Sequence, residues 1–151
     1  MSQADTATQT GGHAQADRLS RLRMSSFGLV TMLILEFILG IIYNVYGTAP
    51  TATRSIGLFS SPDLALHVIL GILLFVAAAV QLVRAIGARH ALSIWLSALG
   101  LVLIVASGGA GLGFAGNGAN GASLGMALTF AFALACYVYL LFALPSRSST
   151  T

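Results

Sequence analysis

The chain has 151 residues, of which 57% are hydrophobic and only 7% are charged. So few charges cannot cover the surface of a water-soluble domain of this size, and the composition therefore indicates an integral membrane protein. The formal net charge of +3 comes without a basic run interleaved with aromatic residues, and there is one cysteine. These features argue against nucleic acid as a partner and exclude an internal disulfide.

The N-terminal segment is polar and contains almost no large apolar side chains over its first 20 residues. Such a segment cannot bury enough surface to offset the entropy lost on ordering. We therefore predict a disordered cytoplasmic tail over residues 1–23, followed by a four-helix transmembrane domain over residues 24–145. Residues 146–151 are predicted to form a short polar C-terminal tail.

Four apolar segments follow one another along the chain, and each is predicted to cross the membrane as a helix. They cover about residues 27–46, 62–86, 91–107 and 122–144. Roughly 20 residues at about 1.5 Å rise span a hydrocarbon core of about 30 Å. The second segment has the clearest start, because Ser61 can cap a helix, Pro62 suits its first position and Asp63 suits its positive end.

The glycine-rich segment over residues 107–121, SGGAGLGFAGNGANG, separates the third and fourth predicted spans. Glycine lowers helix propensity by about 1 kcal/mol relative to alanine, so this segment would make a poor continuous helix in water. We therefore predict a flexible loop here, into which the third helix can fray.

The predicted fold class is an all-α membrane protein, a four-transmembrane-helix bundle. Small and hydroxyl residues recur at helical spacing in each span, as in Ser93, Ser97 and Gly100, which favours close helix packing. In a four-span topology Arg54 lies on one side, and all the other arginines lie on the opposite side: Arg18, Arg21, Arg23, Arg84, Arg89 and Arg147. The positive-inside rule then predicts that both termini are cytoplasmic.

Glu36 lies in the middle of the first apolar span. A carboxylate near the bilayer centre costs about 2.5 to 3.5 kcal/mol on insertion scales for the comparable aspartate, so it should face the bundle and be protonated, paired or hydrated. Two interpretations remain open. Glu36 is a proton-relay or ligand-binding residue, or it is a neutral acid that bonds to a neighbouring helix.

Other polar side chains are expected toward the outer leaflet. His67 lies about 7 to 8 Å deep and Glu36 about 15 Å deep by helical rise, so a direct bond between them should need a helix offset or a water. The remaining candidates for ligand binding or proton relay are Tyr43, Asn44, Asn117, Asn120 and Ser123. The alternative interpretation is that His67 caps or bridges helices.

The step from His67 to Gly71 resembles haem A synthase and membrane b-type cytochromes. That resemblance implies that the imidazole binds the iron and that the glycine makes room for the macrocycle. His90 lies in the turn between the second and third predicted spans, across the membrane from His67, so it cannot be the second ligand. Met126 lies at a depth that matches that of His67. Because His/Met ligation is known for haem iron, we carry haem b held by His67 and Met126 as an alternative.

Three stretches carry a broader resemblance: residues 35–44 (LEFILGIIYN), residues 67–71 (HVILG) and residues 120–128 (NGASLGMAL). Together they resemble a group of small four-span bacterial integral membrane proteins over about residues 27–144. The resemblance implies a multi-pass topology in the bacterial cytoplasmic (inner) membrane, and it brings no activity or ligand with it.

The sequence contains no Gly-x-Ser-x-Gly elbow, phosphate loop with lysine or His-Glu-x-x-His pair, so we do not expect an enzyme. We expect a non-enzymatic accessory subunit or small-ligand-binding module of a membrane complex. Its partners would be the lipid bilayer and other membrane subunits or further copies of the chain. The alternatives are a haem-binding electron-transfer protein using His67, and proton-coupled transport involving Glu36.

Overall fold

The computed structural model describes residues 3–47, 50–51, 53–118 and 120–144. They form four helices: α1 (Gln3–Tyr46), α2 (Pro62–Ala88), α3 (Ala91–Asn117) and α4 (Asn120–Ala143). Each helix contains a stretch long and apolar enough to cross a membrane. The expected all-helical architecture with four potential spans is thereby confirmed, and the chain is a multi-pass membrane protein by this criterion.

α1 is longer than the predicted first span, because it already begins at Gln3. Residues 3–23 are therefore helical in the structure, whereas the sequence favoured a disordered tail. Side-chain bonds tie this part of α1 to the end of α2: Gln15 Nε2 donates to the Ala88 carbonyl and Arg18 Nη1 to the Gly87 carbonyl, each at 3.0 Å. Such tertiary contacts stabilise a polar helical segment that would be marginal alone.

α2 begins as its local sequence suggests, and a short turn leads from its end into α3. Ser61 Oγ accepts a hydrogen bond from the Leu64 N–H at 3.4 Å, which confirms the predicted N-cap. Arg89 adopts a left-handed conformation that ends α2. His90 Nδ1 then caps α3 by accepting from the Ser93 N–H at 3.4 Å. This two-residue turn makes α2 and α3 antiparallel neighbours.

α3 continues through most of the glycine-rich segment and ends at Asn117, so the predicted flexible loop is wrong. The helix penalty of glycine is measured in water, whereas a chain in lipid must satisfy its backbone N–H and C=O groups internally, which favours helix. Glycine also lets α4 approach closely. A Cβ at Gly111 would lie 3.3 Å from Met126 Sδ, and Ser107 Oγ donates to the Met126 carbonyl at 3.2 Å.

The four helices form a closed ring in which each packs on the next and α4 packs on α1. The predicted inner stripe of α3 is confirmed, since its members are all buried: Ser93, Ser97, Gly100, Ile104 and Ser107. Many large apolar side chains face outward instead, including Trp95, which is 76% exposed, and Phe142, which is 80% exposed. Small residues inside and large apolar residues outside suit a bundle surrounded by lipid.

The two ends of the bundle differ in charge. Arg18, Arg21, Arg23 and Arg84 line a cleft at one end. At the other end the loop after α1, which carries Arg54, packs on the end of α3, where the Ile56 N–H donates to the Ala115 carbonyl at 2.9 Å. Arg147 lies outside the described residues.

Candidate functional site

α1 and α2 pack antiparallel in a register that polar contacts define. Near the arginine-rich end, Gln81 Nε2 donates to Ser26 Oγ at 2.9 Å. Nearer the opposite end, Glu36 Oε1 lies 3.3 Å from His67 Nδ1. Residue numbers rise along one helix as they fall along the other, so Glu36 lies near Gly71 on α2 and His67 lies near Gly40 on α1.

The Glu36–His67 contact is direct, although the helical-rise estimate called for a helix offset or a water. Each side chain lies over a glycine of the opposite helix, and the two side chains together bridge a depth difference of about one helical turn. The Glu36 side chain is 10% exposed and that of His67 is 24% exposed. The pair is therefore largely enclosed by protein, and His67 provides its more accessible side.

The pair has unused hydrogen-bonding capacity. Neither Glu36 Oε2 nor His67 Nδ1 has a well-aligned hydrogen-bond partner within the described part of the chain, and both atoms are buried. The 3.3 Å separation is therefore a close contact of ion-pair type rather than a well-aligned hydrogen bond. A buried carboxyl oxygen of this kind is costly unless a proton, a water or another donor reaches it.

Gly40 and Gly71 leave little spare room around the pair. A Cβ at Gly71 would lie 3.0 Å from Glu36 Oε1, and a Cβ at Gly40 would lie 3.4 Å from His67 Cε1. The sequence resemblance assigned Gly71 the role of making room for a haem macrocycle. In the structure the space over Gly71 holds the Glu36 carboxylate instead.

The other predicted cluster members are dispersed over three helices. Tyr43 is half-buried two turns after Glu36 on α1, and Asn44 beside it is exposed. Asn117 is exposed at the last position of α3, and Ser123 is half-buried in the first turn of α4. The side chain of Asn120 lies outside the described part. Of the predicted cluster, the structure thus documents the Glu36–His67 contact, which involves α1 and α2.

Met126 and His67 are not brought together as a pair of iron ligands. Met126 lies on α4 and directs its sulfur to Gly111 on α3, whereas His67 lies on α2 and faces α1. Within the described chain α2 and α4 lie diagonally across the bundle without direct packing. The contacts of His67 and Met126 are thus to different neighbouring helices, and the His/Met haem site stays a prediction.

Two buried polar features were not identified as sites from the sequence. Gln81 is fully buried and bonds to Ser26 and, at 3.3 Å, to the Leu22 carbonyl. Tyr137 is fully buried against Gly100, and its hydroxyl has no hydrogen-bond partner among residues the structure describes. The position of Gln81 inside an apolar span was a usable signal. Ser26 lies just outside the predicted first span, so its position gave no such signal.

The fold and the site together define the class of the protein, which is a four-helix membrane protein with a carboxylate–imidazole pair between its first two helices. Comparison with protein-family models, curated proteins and solved structures found no match. The contact between Glu36 and His67 is therefore the feature from which a function can be inferred.

Proposed function

We propose that the protein is a non-enzymatic small-ligand-binding module, acting as an accessory subunit of a membrane complex, and that its ligand at Glu36 and His67 is a proton. This proposal joins the expected binding module to the alternative of proton-coupled transport. The membrane complex would supply the remaining path for the proton. Other membrane subunits or further copies of the chain would complete that complex.

The observation that carries the proposal is the 3.3 Å contact between Glu36 Oε1 and His67 Nδ1 at membrane depth. Ionisable residues inside membrane spans are expensive, and chains of acidic and histidine side chains are the usual proton relays of pumps and transporters. Each of these two groups can hold or release one proton, and a small side-chain movement or one bridging water would align them for proton transfer.

The close contacts at Gly40 and Gly71 favour a proton over a larger ligand. The carboxylate and the imidazole already occupy the space over these glycines, so an organic ligand would have to displace one of them. A proton needs no such space. The partial exposure of His67, compared with that of Glu36, makes the imidazole the entry point and the carboxyl the inner acceptor.

Infrared spectroscopy of the purified protein tests proton binding without needing a partner. Glu36 is the only glutamate in the chain, and there are four acidic residues altogether, so its carboxylic-acid C=O band can be assigned by Glu36→Gln. We expect a band that disappears in Glu36→Gln and shifts in His67→Asn. Asp17→Asn, which removes a carboxylate near the arginine-rich end of the bundle, should leave it unchanged. A spectrum with no such band, or one indifferent to His67→Asn, would refute the proposal.

We also propose that the arginine-rich end of the bundle faces the cytoplasm of a bacterial cell, with both termini inside. The support is the placement of four arginines in one cleft, while Arg54 lies in the loop at the opposite end. Reporter fusions to the two ends should both report the cytoplasm. Fusions that report opposite sides would contradict this orientation.

The geometry favours the proton over haem. Metal-bound imidazoles commonly direct their second nitrogen to a carboxylate, and His67 does face Glu36. However, the space at Gly71 is taken by that carboxylate and Met126 faces α3. We expect protein purified from haem-replete cells to show no Soret band. A Soret band that is lost in His67→Ala would establish the haem alternative instead.

A further inference from the structure

The cleft at the arginine-rich end is independent of the Glu36–His67 site. α1 contributes most of its lining, and the ends of α2 and α4 complete it. Four guanidinium groups border the cleft, those of Arg18, Arg21, Arg23 and Arg84. The acidic residue nearest to them in the sequence is Asp17, four residues before Arg21, so positive charge predominates beside the apolar spans.

Three of these arginines meet along one groove between α1 and α2. Arg18, Arg21 and Ser25 are spaced i, i+3, i+7, which places them on one face of α1. Arg84 of α2 reaches this face, since its Nη1 lies 3.5 Å from Ser25 Oγ. Arg18 Nη1 bonds to the Gly87 carbonyl, less than one turn beyond Arg84. Each of these bonds uses one of the five N–H donors of a guanidinium, so most donors remain for a ligand.

Arg23 is held differently and does not belong to this groove. Its Nε donates to the Leu141 carbonyl of α4 at 3.0 Å, so its side chain is directed toward α4 rather than α2. The groove is therefore defined by Arg18, Arg21, Arg84 and Ser25.

Exposed apolar side chains also line this cleft. Met24 is 67% exposed, Phe27 is 55% exposed and Phe142 of α4 is 80% exposed. A ligand that contacts both the arginines and these side chains must combine an anionic group with apolar chains. Guanidinium groups bind phosphate oxygens through paired N–H donors.

We propose that this groove binds the phosphate headgroup of an anionic phospholipid, with an acyl chain lying along Met24, which is three residues after Arg21 on α1. Basic pockets between helices at the cytoplasmic surface commonly bind anionic headgroups. Arg21 and Arg84 provide the charge from two different helices, and the Ser25 hydroxyl provides a further polar contact. Occupation of the groove would couple the ends of α1 and α2 through one lipid.

Native mass spectrometry of the full chain in detergent, with added phosphatidylglycerol or phosphatidylcholine, tests the proposal. We expect one phosphatidylglycerol to remain bound under conditions that strip phosphatidylcholine. Inorganic phosphate added at the same concentration should not displace the lipid, because it lacks the acyl chains. Equal retention of the two lipids would overturn the proposal, and displacement by inorganic phosphate would assign the groove to a soluble phosphate instead.

Variants locate the site. Each arginine near an anionic surface changes affinity about fivefold, so Arg21→Gln/Arg84→Gln should weaken phosphatidylglycerol binding about 25-fold. The matched control is Arg54→Gln at the opposite end of the bundle, which should leave binding unchanged. Arg21→Lys/Arg84→Lys should recover part of the loss, because lysine keeps the charge but not the paired donors. An equal loss in Arg54→Gln would overturn the assignment. If the double glutamine variant fails to fold, Arg21→Gln alone should still give about a fivefold loss, and an unchanged affinity would refute the site.

Discussion

Replacing Gly100 with alanine should destabilise the bundle at the interface between α3 and α4. Gly100 is buried on the inner stripe of α3, directly beneath the ring of Tyr137. A Cβ at Gly100 would lie 2.7 Å from Tyr137 Cζ, 2.8 Å from Cε2 and 2.9 Å from the hydroxyl oxygen. Since carbon atoms pack at about 3.5 to 4.0 Å, the helices or the ring would have to move by roughly 0.7 Å or more.

The ring has little freedom to move, because Tyr137 is fully buried. Overpacking of this kind costs about 1 to 3 kcal/mol. Alanine returns up to about 1 kcal/mol through its better helix propensity. The middle of the overpacking range less this gain leaves about 1 kcal/mol, so we expect Gly100→Ala to lower the free energy of unfolding by about 1 kcal/mol and by at most about 3.

Gly108 provides a matched control on the same helix. No atom lies within 4 Å of a Cβ placed there, so Gly108→Ala should leave stability unchanged or raise it by up to about 1 kcal/mol. Equilibrium unfolding of the purified variants in detergent measures both effects. In Gly100→Ala/Tyr137→Leu the loss should be smaller than the sum of the single losses, because the clash is gone. Equal stability of Gly100→Ala and Gly108→Ala would refute the packing argument.

The same unfolding assay tests three further expectations. Gly118→Ala should lower the free energy of unfolding by about 1 to 2 kcal/mol, because Gly118 has φ 67° and a Cβ would meet the Pro50 carbonyl oxygen. An unchanged stability would argue against this turn. Gln81→Met should lower the free energy of unfolding by about 0.6 kcal/mol and by at most about 1.7, which is the range measured for hydrogen bonds between membrane helices. A gain in stability would contradict the hydrogen bonds of Gln81 to Ser26 and Leu22. A double-mutant cycle with Glu36→Gln and His67→Asn should show a coupling of about 0.5 kcal/mol or more, whereas additive losses would indicate that the side chains do not touch.

Local sequence chemistry predicted the parts of the fold that depend on local contacts. The start of α2 follows from the Ser61 cap and Pro62, which act within one turn. The buried face of α3 follows from the spacing of Ser93, Ser97 and Gly100, because a helix repeats every 3.6 residues. These signals do not depend on knowing the neighbouring helix.

The extent of α1 and α3 could not be predicted in the same way. Propensities for water led to a loop over the glycine-rich segment, whereas lipid favours continued backbone hydrogen bonding. The N-terminal part of α1 is polar, and its helix is tied to α2 by Gln15 and Arg18. A single sequence does not reveal such partners.

The site was predicted residue by residue but not as a contact. Glu36 and His67 were recognised because ionisable side chains inside apolar spans are costly. Their direct contact depends on which sides of α1 and α2 face each other and on the axial offset of the two helices. An estimate of the depth of each residue determines neither. Gly40 and Gly71 are the residues that permit it, yet one glycine had been interpreted as space for a cofactor.

Nitrogen NMR of the His67 ring is the most direct test of the central claim that Glu36 and His67 share a proton. The chain has three histidines, and His90, held 2.8 Å from Ser93 Oγ, serves as an internal reference. We predict that Glu36→Gln changes the protonation or tautomer signature of His67 and leaves the His90 signals constant. In the control variant Asp17→Asn the His67 signals should stay as in the wild type. A His67 spectrum that is identical in the wild type and in Glu36→Gln would contradict the account.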